Sequence, residues 1–197
     1  MNQGVAMNRD VELIATLQEY YRQVEEIKLD AMDLARGLSE TQFNWRPSPE
    51  KWSIGECLEH LNVTARLFWP TIAEAVNGAR VNGWFSKGPY KRTWLGAIAI
   101  RTMEPPAKRR FKAPRRFRPP ANLPMNQVLS QFMAFQDRLL DLLRDANGVD
   151  LGRPRLQAPG SKMIKLTLGQ SFGLMTAHER RHLWQARQVK DNPNFPA

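Results

Sequence analysis

Cysteine is almost missing from this 197-residue chain. Cys57 stands alone, so no internal disulfide can form. No run of 18 apolar residues occurs, which leaves no candidate for a transmembrane helix. Residues Met1 to Asp10 are polar and contain no apolar h-region, so no signal peptide is expected. Together these absences favour a cytoplasmic protein. Negative charge is also short: 19 Asp and Glu face 29 Lys and Arg, a net charge of +10. Alternating strand patterns, internal repeats and low-complexity tracts are lacking. What remains is 42% apolar residues with six tryptophans, enough to build one domain with a full core over residues 1–197.

Four amphipathic stretches organise that core. Leu13, Leu17, Tyr20, Val24, Ile27, Ala31, Leu34 and Leu38 alternate spacings of four and three, the seam of a bundle helix. Gly37 and Ser39 mark its end, and residues 41–52, with Trp45 and Trp52, form a connector whose tryptophans pack over a bundle end. A second helix is expected over 53–77, opened by a capping box between Ser53 and Glu56. A third starts after Pro124, buries Val128, Leu129, Phe132, Phe135, Leu139, Leu142, Leu143 and Ala146, and stops at Asn147-Gly148. The fourth covers about 168–190, with Thr167 and Gln170 as its capping box. The fold class is therefore an all-α four-helix bundle with its core at about 10–190. An excursion over 78–122, with a short helix expected near Tyr90 to Arg101, is long enough to let the second and third helices run parallel. Within the connector 149–166, Met163 to Leu166 is expected to be extended.

Histidine occurs three times, as His60, His178 and His182. His178-Glu-Arg-Arg-His182 places two imidazoles one turn apart on one helix face. Such pairs also arise by chance on solvent-facing helices, where they bind nothing. Here they sit in the stripe Leu168, Phe172, Met175, His178, His182, Gln185 and Val189, so they are expected to face inward, with Arg180, Arg181 and Arg187 mostly outside. His60 lies at the border of the apolar face of its helix, two turns from the start. An antiparallel neighbour would bring it level with His182. Three neutral imidazoles suit a divalent transition metal, zinc or nickel first and manganese or iron as alternatives, and leave a coordination position open. Cys57 is either a fourth ligand, which would close the site, or a small buried hydrophobe. Glu56 is a candidate general base or a carboxylate supporting the ligands, though it also has a complete role in its capping box. Gln185, one turn past His182, either touches a ligand or makes a core-edge contact.

Positive charge concentrates at 101–118, where Arg101, Lys108, Arg109, Arg110, Lys112, Arg115, Arg116 and Arg118 face only Glu104. Such a run suits nucleic acid, an anionic lipid surface or an acidic small molecule. Five prolines exclude a recognition helix, and charge alone does not carry a nucleic-acid reading. Phe111 and Phe117 are placed either to stack on bases or to pin the segment to the bundle.

Trp45-Arg-Pro47, then Lys51 to Leu61 with His60, resembles the first signature of the DinB-like superfamily, and His178 to Arg187 resembles the second. Arg110 to Arg115 is similar to the connector of one DinB-like branch. The resemblance covers roughly residues 10–190. It implies an up-down-down-up bundle with a long crossover between the second and third helices. It implies one divalent metal on His60, His178 and His182, and a homodimer. It also implies thiol-dependent S-transfer, isomerisation or hydrolysis of a small-molecule substrate, although many relatives have no known activity. In a transferase, the ion would activate a low-molecular-weight thiol, and Arg109, Arg110 and Arg115 would hold that cofactor's carboxylates. The alternative is a basic bundle that docks on nucleic acid or a membrane surface, with the metal structural or vestigial.

Overall fold

The 4-3 seam of the first stretch becomes α1 (Ala15–Ala35), which buries Leu17, Tyr20, Val24, Ile27, Ala31 and Leu34. The computed structural model of the protein describes residues 12–86, 88–107, 112–158 and 164–197. Three further long helices follow: α3 (Ile54–Val81), α5 (Met125–Asp145) and α6 (Leu168–Lys190). The expected capping boxes of α3 and α6 both form, with Ser53 and Thr167 accepting from the backbone N–H of Glu56 and Gln170. Two short helices, α2 (Glu40–Asn44) and α4 (Trp94–Met103), join the bundle. The connector before α6 folds back on itself as an antiparallel pair, β1 (Arg155–Gln157) with β2 (Lys165–Thr167).

Inter-helix hydrogen bonds give the directions. Asn62 pairs with Val128, Arg66 with Gln131 and Trp69 with Phe135, so α3 and α5 run parallel. Gln23 pairs with Arg180, Asp30 with Arg187 and Leu34 with Lys190, so α1 and α6 run parallel too. Lys28 meets Asp137 while Tyr21 meets Arg144, which sets α1 against α5. The order is up-down-down-up, and the segment from Asn82 to Pro124 supplies the crossover.

Three expectations need correction. The second long helix does not stop at Asn77-Gly78. Val76 and Ala79 continue its buried stripe, and the helix runs to Val81 before Gly83, at φ 65°, turns the chain. Residues 41–52 are not all connector: Ser39 and Gln42 form a third capping box, and α2 buries Phe43. Arg181 does not lie outside. α4 packs along α6, with Gly96 against Gln170 and Ile100 against Gly173, and the extra layer buries Arg181, whose guanidinium donates to the Thr102 carbonyl at 3.3 Å.

The core has two apolar clusters, and a polar layer lies between them. α6 leaves the first at Met175 and enters the second at Leu183; His178, Glu179 and His182 fall in the gap. α5 passes from Phe132 to Leu139 with Gln136 between, and α3 from Leu61 to Ala65 with Asn62 and Thr64 between. This layer holds the candidate site.

Candidate metal centre

Each imidazole is placed by a different local cause. The Ser53 cap fixes the phase of α3, and His60 emerges two turns later toward α6. The Thr167 cap does the same for α6, where the i, i+4 spacing stacks His178 and His182 on the face toward α3. The three rings meet with centroids 5.2, 4.5 and 4.6 Å apart. One nitrogen from each lies within 4.8 Å of the others. His60 and His182 are buried and His178 is half-buried.

The nitrogens are arranged for a cation. Nδ1 of His60 donates to the backbone carbonyl of Phe117 at 2.7 Å, which leaves Nε2 of that ring as a lone pair. That Nε2 stands 3.3 Å from Nε2 of His178. Metal–nitrogen bonds of about 2.0–2.1 Å span a tetrahedral edge of about 3.3 Å, so the pair is spaced as two ligands of one ion. Nδ1 of His178 and Nδ1 of His182 are buried without a hydrogen-bond partner. Neutral imidazoles whose nitrogen lone pairs converge on one point repel one another, and a shared cation at that point relieves the cost. The residues therefore fit the metal.

Electrostatics keep the rings in the form that binds metal. Burial is the main force lowering the pKa of all three. It depresses His60, against the opposing bond to Phe117. His178 is pushed down to about 3, with help from His60 and the Arg181 cation. His182 is held well below the ordinary imidazole value, although the side chain of Gln185 works in the other direction. At neutral pH the three rings are neutral.

The other expected site residues fall as follows. Glu56 is buried at the start of α3. Its carboxylate accepts from the Ser53 backbone N–H at 2.9 Å and from Nε and Nη2 of the Arg46 guanidinium. It lines a cleft of about 660 Å³ together with Arg46, Asn44 and Trp45. Gln185 is half-buried beside His182. Cys57 is packed in the second apolar cluster with its thiol pKa pushed far up by burial, and it is not in the histidine group. Arg115 is exposed in a single 3-10 turn, Arg115–Phe117. Arg109, Arg110 and Phe111 lie outside the described residues, as does Met163 of the stretch expected to be extended. Phe117 is buried, so it pins its segment to the bundle.

Three contributors carried no signal strong enough to find in the sequence. Trp52, just before the Ser53 cap, lies over the imidazoles with its ring centre 4.9 Å from His60 and 5.8 Å from His182. The Phe117 carbonyl is a backbone group and leaves no side-chain trace. Glu179 turns away from its histidine neighbours into the core, where Gln136 donates to it at 2.9 Å. Burial raises its pKa to about 7.

No helix among the described residues is long and apolar enough to cross a membrane. The chain is similar to an uncharacterized protein, YuaE, of Bacillus subtilis (strain 168), with 25% identity over 169 residues that cover 84% of this chain and 94% of that one. No solved structure matches it. The family model described as the DinB superfamily matches residues 23–186 and so takes in all three histidines. With its up-down-down-up bundle and its buried histidine triad, this chain belongs to the DinB superfamily.

Proposed function

We propose that the protein is a metal-dependent enzyme acting on a small molecule, with one divalent transition ion held by His60, His178 and His182. Zinc and nickel are the first candidates, since neutral imidazoles suit both. The observation that carries this reading is the 3.3 Å approach of the His60 and His178 Nε2 atoms, with the Phe117 carbonyl fixing the tautomer of His60. A bound ion would act there as a Lewis acid, lowering the pKa of a thiol or a water molecule.

The chain's own residues do the rest. Trp52 covers one side of the imidazole cluster and keeps bulk water from it. Three uncharged ligands leave the ion's positive charge unneutralised, which favours an anionic nucleophile such as a thiolate. Arg115 is carried on the same short turn as Phe117, so a cation stands two residues from the group that orients His60. Arg109 and Arg110 precede it in the chain. These three arginines are assigned to the carboxylates of a low-molecular-weight thiol, which makes an S-transferase the leading activity and a hydrolase the next. Glu56, one turn before His60 on α3, is assigned to proton transfer, and Gln185 to a ligand contact beside His182.

Elemental analysis of untagged protein, beside His60→Ala, His178→Ala and His182→Ala, tests the site. About one equivalent of metal in the wild type and loss in all three variants is expected. A wild type that holds no metal and takes up neither zinc nor nickel on titration removes the enzyme reading. With metal established, thiol binding that survives the triple Arg109→Gln, Arg110→Gln, Arg115→Gln change removes the transferase assignment. Glu56→Gln with metal and turnover both retained removes its role in proton transfer.

A further inference from the structure

The excess charge of this protein has one address. Residues 82–124 hold eleven Lys and Arg against a single acid, Glu104; the other residues hold 18 Lys and Arg against 18 Asp and Glu. The crossover thus nets +10 while the rest nets zero, so the bundle is neutral and the whole +10 rides on the crossover. Glu104 offsets none of it at the surface, because its carboxylate is paired with Arg180 of α6.

The same excursion carries an apolar helix face that no described residue covers. α4 is held to α6 by Gly96, Ile100 and the Thr93 cap, whose hydroxyl accepts from Gln170 at 2.6 Å. Its other face presents Trp94, 71% exposed, and Ile98, 52% exposed, one turn apart with Ala97 beside them. Arg101 continues that face in the last turn, and Lys91 precedes the helix; both are exposed. The ten residues of α4 include no acid. Single exposed apolar side chains are ordinary on a protein surface. A tryptophan and an isoleucine in register on a short helix, inside the only strongly cationic segment, are a different case.

We propose that α4 docks this protein on an anionic lipid bilayer. Trp94 and Ile98 enter the boundary between headgroups and acyl chains, where tryptophan is at home, and Lys91 and Arg101 meet the anionic headgroups. The helix lies in the plane of the surface, and its ten residues span about 15 Å. The partner is lipid and not nucleic acid because phosphate contact requires only cations. Neither Ile98 nor Ala97 offers a base edge any donor or acceptor, whereas both suit acyl chains. The apolar face and the basic side chains supply the two contributions that set the strength of interfacial helix binding, buried apolar area and attraction to anionic lipid.

Flotation of the full chain with phosphatidylcholine vesicles, with and without phosphatidylglycerol, tests this. The wild type is expected to float with the anionic vesicles only. Trp94→Ser with Ile98→Ser is expected to abolish flotation while the circular dichroism spectrum and melting temperature are kept. Lys91→Gln with Arg101→Gln is expected to weaken it by roughly thirtyfold, as two surface cations near anionic lipid require. Tryptophan fluorescence quenched by brominated lipid in the wild type, and not in Trp94→Ala, places the ring in the bilayer independently of the double variants. Failure to float with anionic vesicles overturns the proposal, and so does flotation that ignores Trp94 and Ile98. Salt-sensitive binding to a DNA or RNA oligonucleotide without vesicle binding assigns the charge to nucleic acid instead. Self-association lost in Trp94→Ser with Ile98→Ser, again without vesicle binding, assigns the face to a second copy of the chain.

Discussion

The backbone carbonyl of Phe117 accepts a hydrogen bond from Nδ1 of His60 at 2.7 Å, across 57 positions of sequence. This bond ties the basic crossover to the helix that carries His60. It selects the tautomer that turns Nε2 toward His178, and such partners commonly set ligand basicity and orientation. The carbonyl itself cannot be substituted, but the buried Phe117 ring anchors it.

Phe117→Ala should therefore free the turn and weaken zinc affinity by about 10–100-fold, although no metal ligand is removed. A competitive chelator titration measures this. Unchanged affinity in a variant that melts like the wild type would show that His60 keeps its orientation without the bond.

Metal and protons compete for the same nitrogens. The folded-state pKa of His178 is about 3 against an ordinary 6.5, and His182 is also depressed. These two histidines thus bind fewer protons in the folded protein than in the unfolded chain at any pH between those values. Their contribution to the stability of the metal-free protein should be full above pH 6.5 and fall as pH drops from 6.5 toward 3, a course read without the opposing titration of Glu179 in the Glu179→Gln background. At neutral pH, zinc at a thousandfold excess over its dissociation constant should add about 4 kcal/mol. Urea unfolding with and without zinc reads both effects. In His182→Ala the zinc increment should vanish and the acid slope become shallower.

Much of this arrangement was legible before the structure, and the parts that were not have physical reasons. Periodicity exposed α1, α3, α5 and α6 because each buries one stripe against the same core, and caps at Ser53 and Thr167 set two of their starts within a residue. The histidine triad was legible because His178 and His182 lie in such a stripe. α2 was missed because five residues are too few to show a period. The β1–β2 pair was half seen, since three-residue strands pair through backbone and leave little pattern. Arg181 was placed outside because a bundle helix is expected to wet one face. The docking of α4 on α6 is a tertiary event that residues 168–190 do not encode. Glu179 carries no such trace for the same reason: its partner, Gln136, sits on another helix.

The capping segment before α3 makes a further prediction. Gly55 lies in the first turn of α3, where glycine is normally unfavourable. A Cβ added there would stand 2.5 Å from the ring of Phe43, which α2 buries completely. Gly55→Ala should gain a few tenths of a kcal/mol in helix propensity and lose about 1–3 kcal/mol to overpacking. The net loss should appear as a lower melting temperature. Phe43→Leu in the same background should recover part of it by making room. If Gly55→Ala instead raised the melting temperature, α2 would not be seated on α3 as closely as described.

The polar layer supplies the last test. Gln136 donates to one oxygen of Glu179, while Oε1 of Gln136 and Oε2 of Glu179 have no partner. A proton on Glu179 lets its hydroxyl answer the amide oxygen, and the two side chains then form a closed acid–amide pair. This agrees with a folded-state pKa raised to about 7 from 4.5, burial being the main cause. Between those values the folded state holds the proton more tightly than the unfolded chain does. The stabilisation is therefore complete below pH 4.5 and is lost as pH rises through 7. Glu179→Gln keeps the paired shape and cannot ionise. The variant should match the wild type near pH 4.5 and exceed it by about 1–3 kcal/mol near pH 8, with the difference growing between those limits. Urea unfolding of metal-free protein at both pH values measures it. An offset that does not change with pH would mean that Glu179 is already ionised in the core at pH 4.5, so the acid–amide pair would not be what holds the layer together.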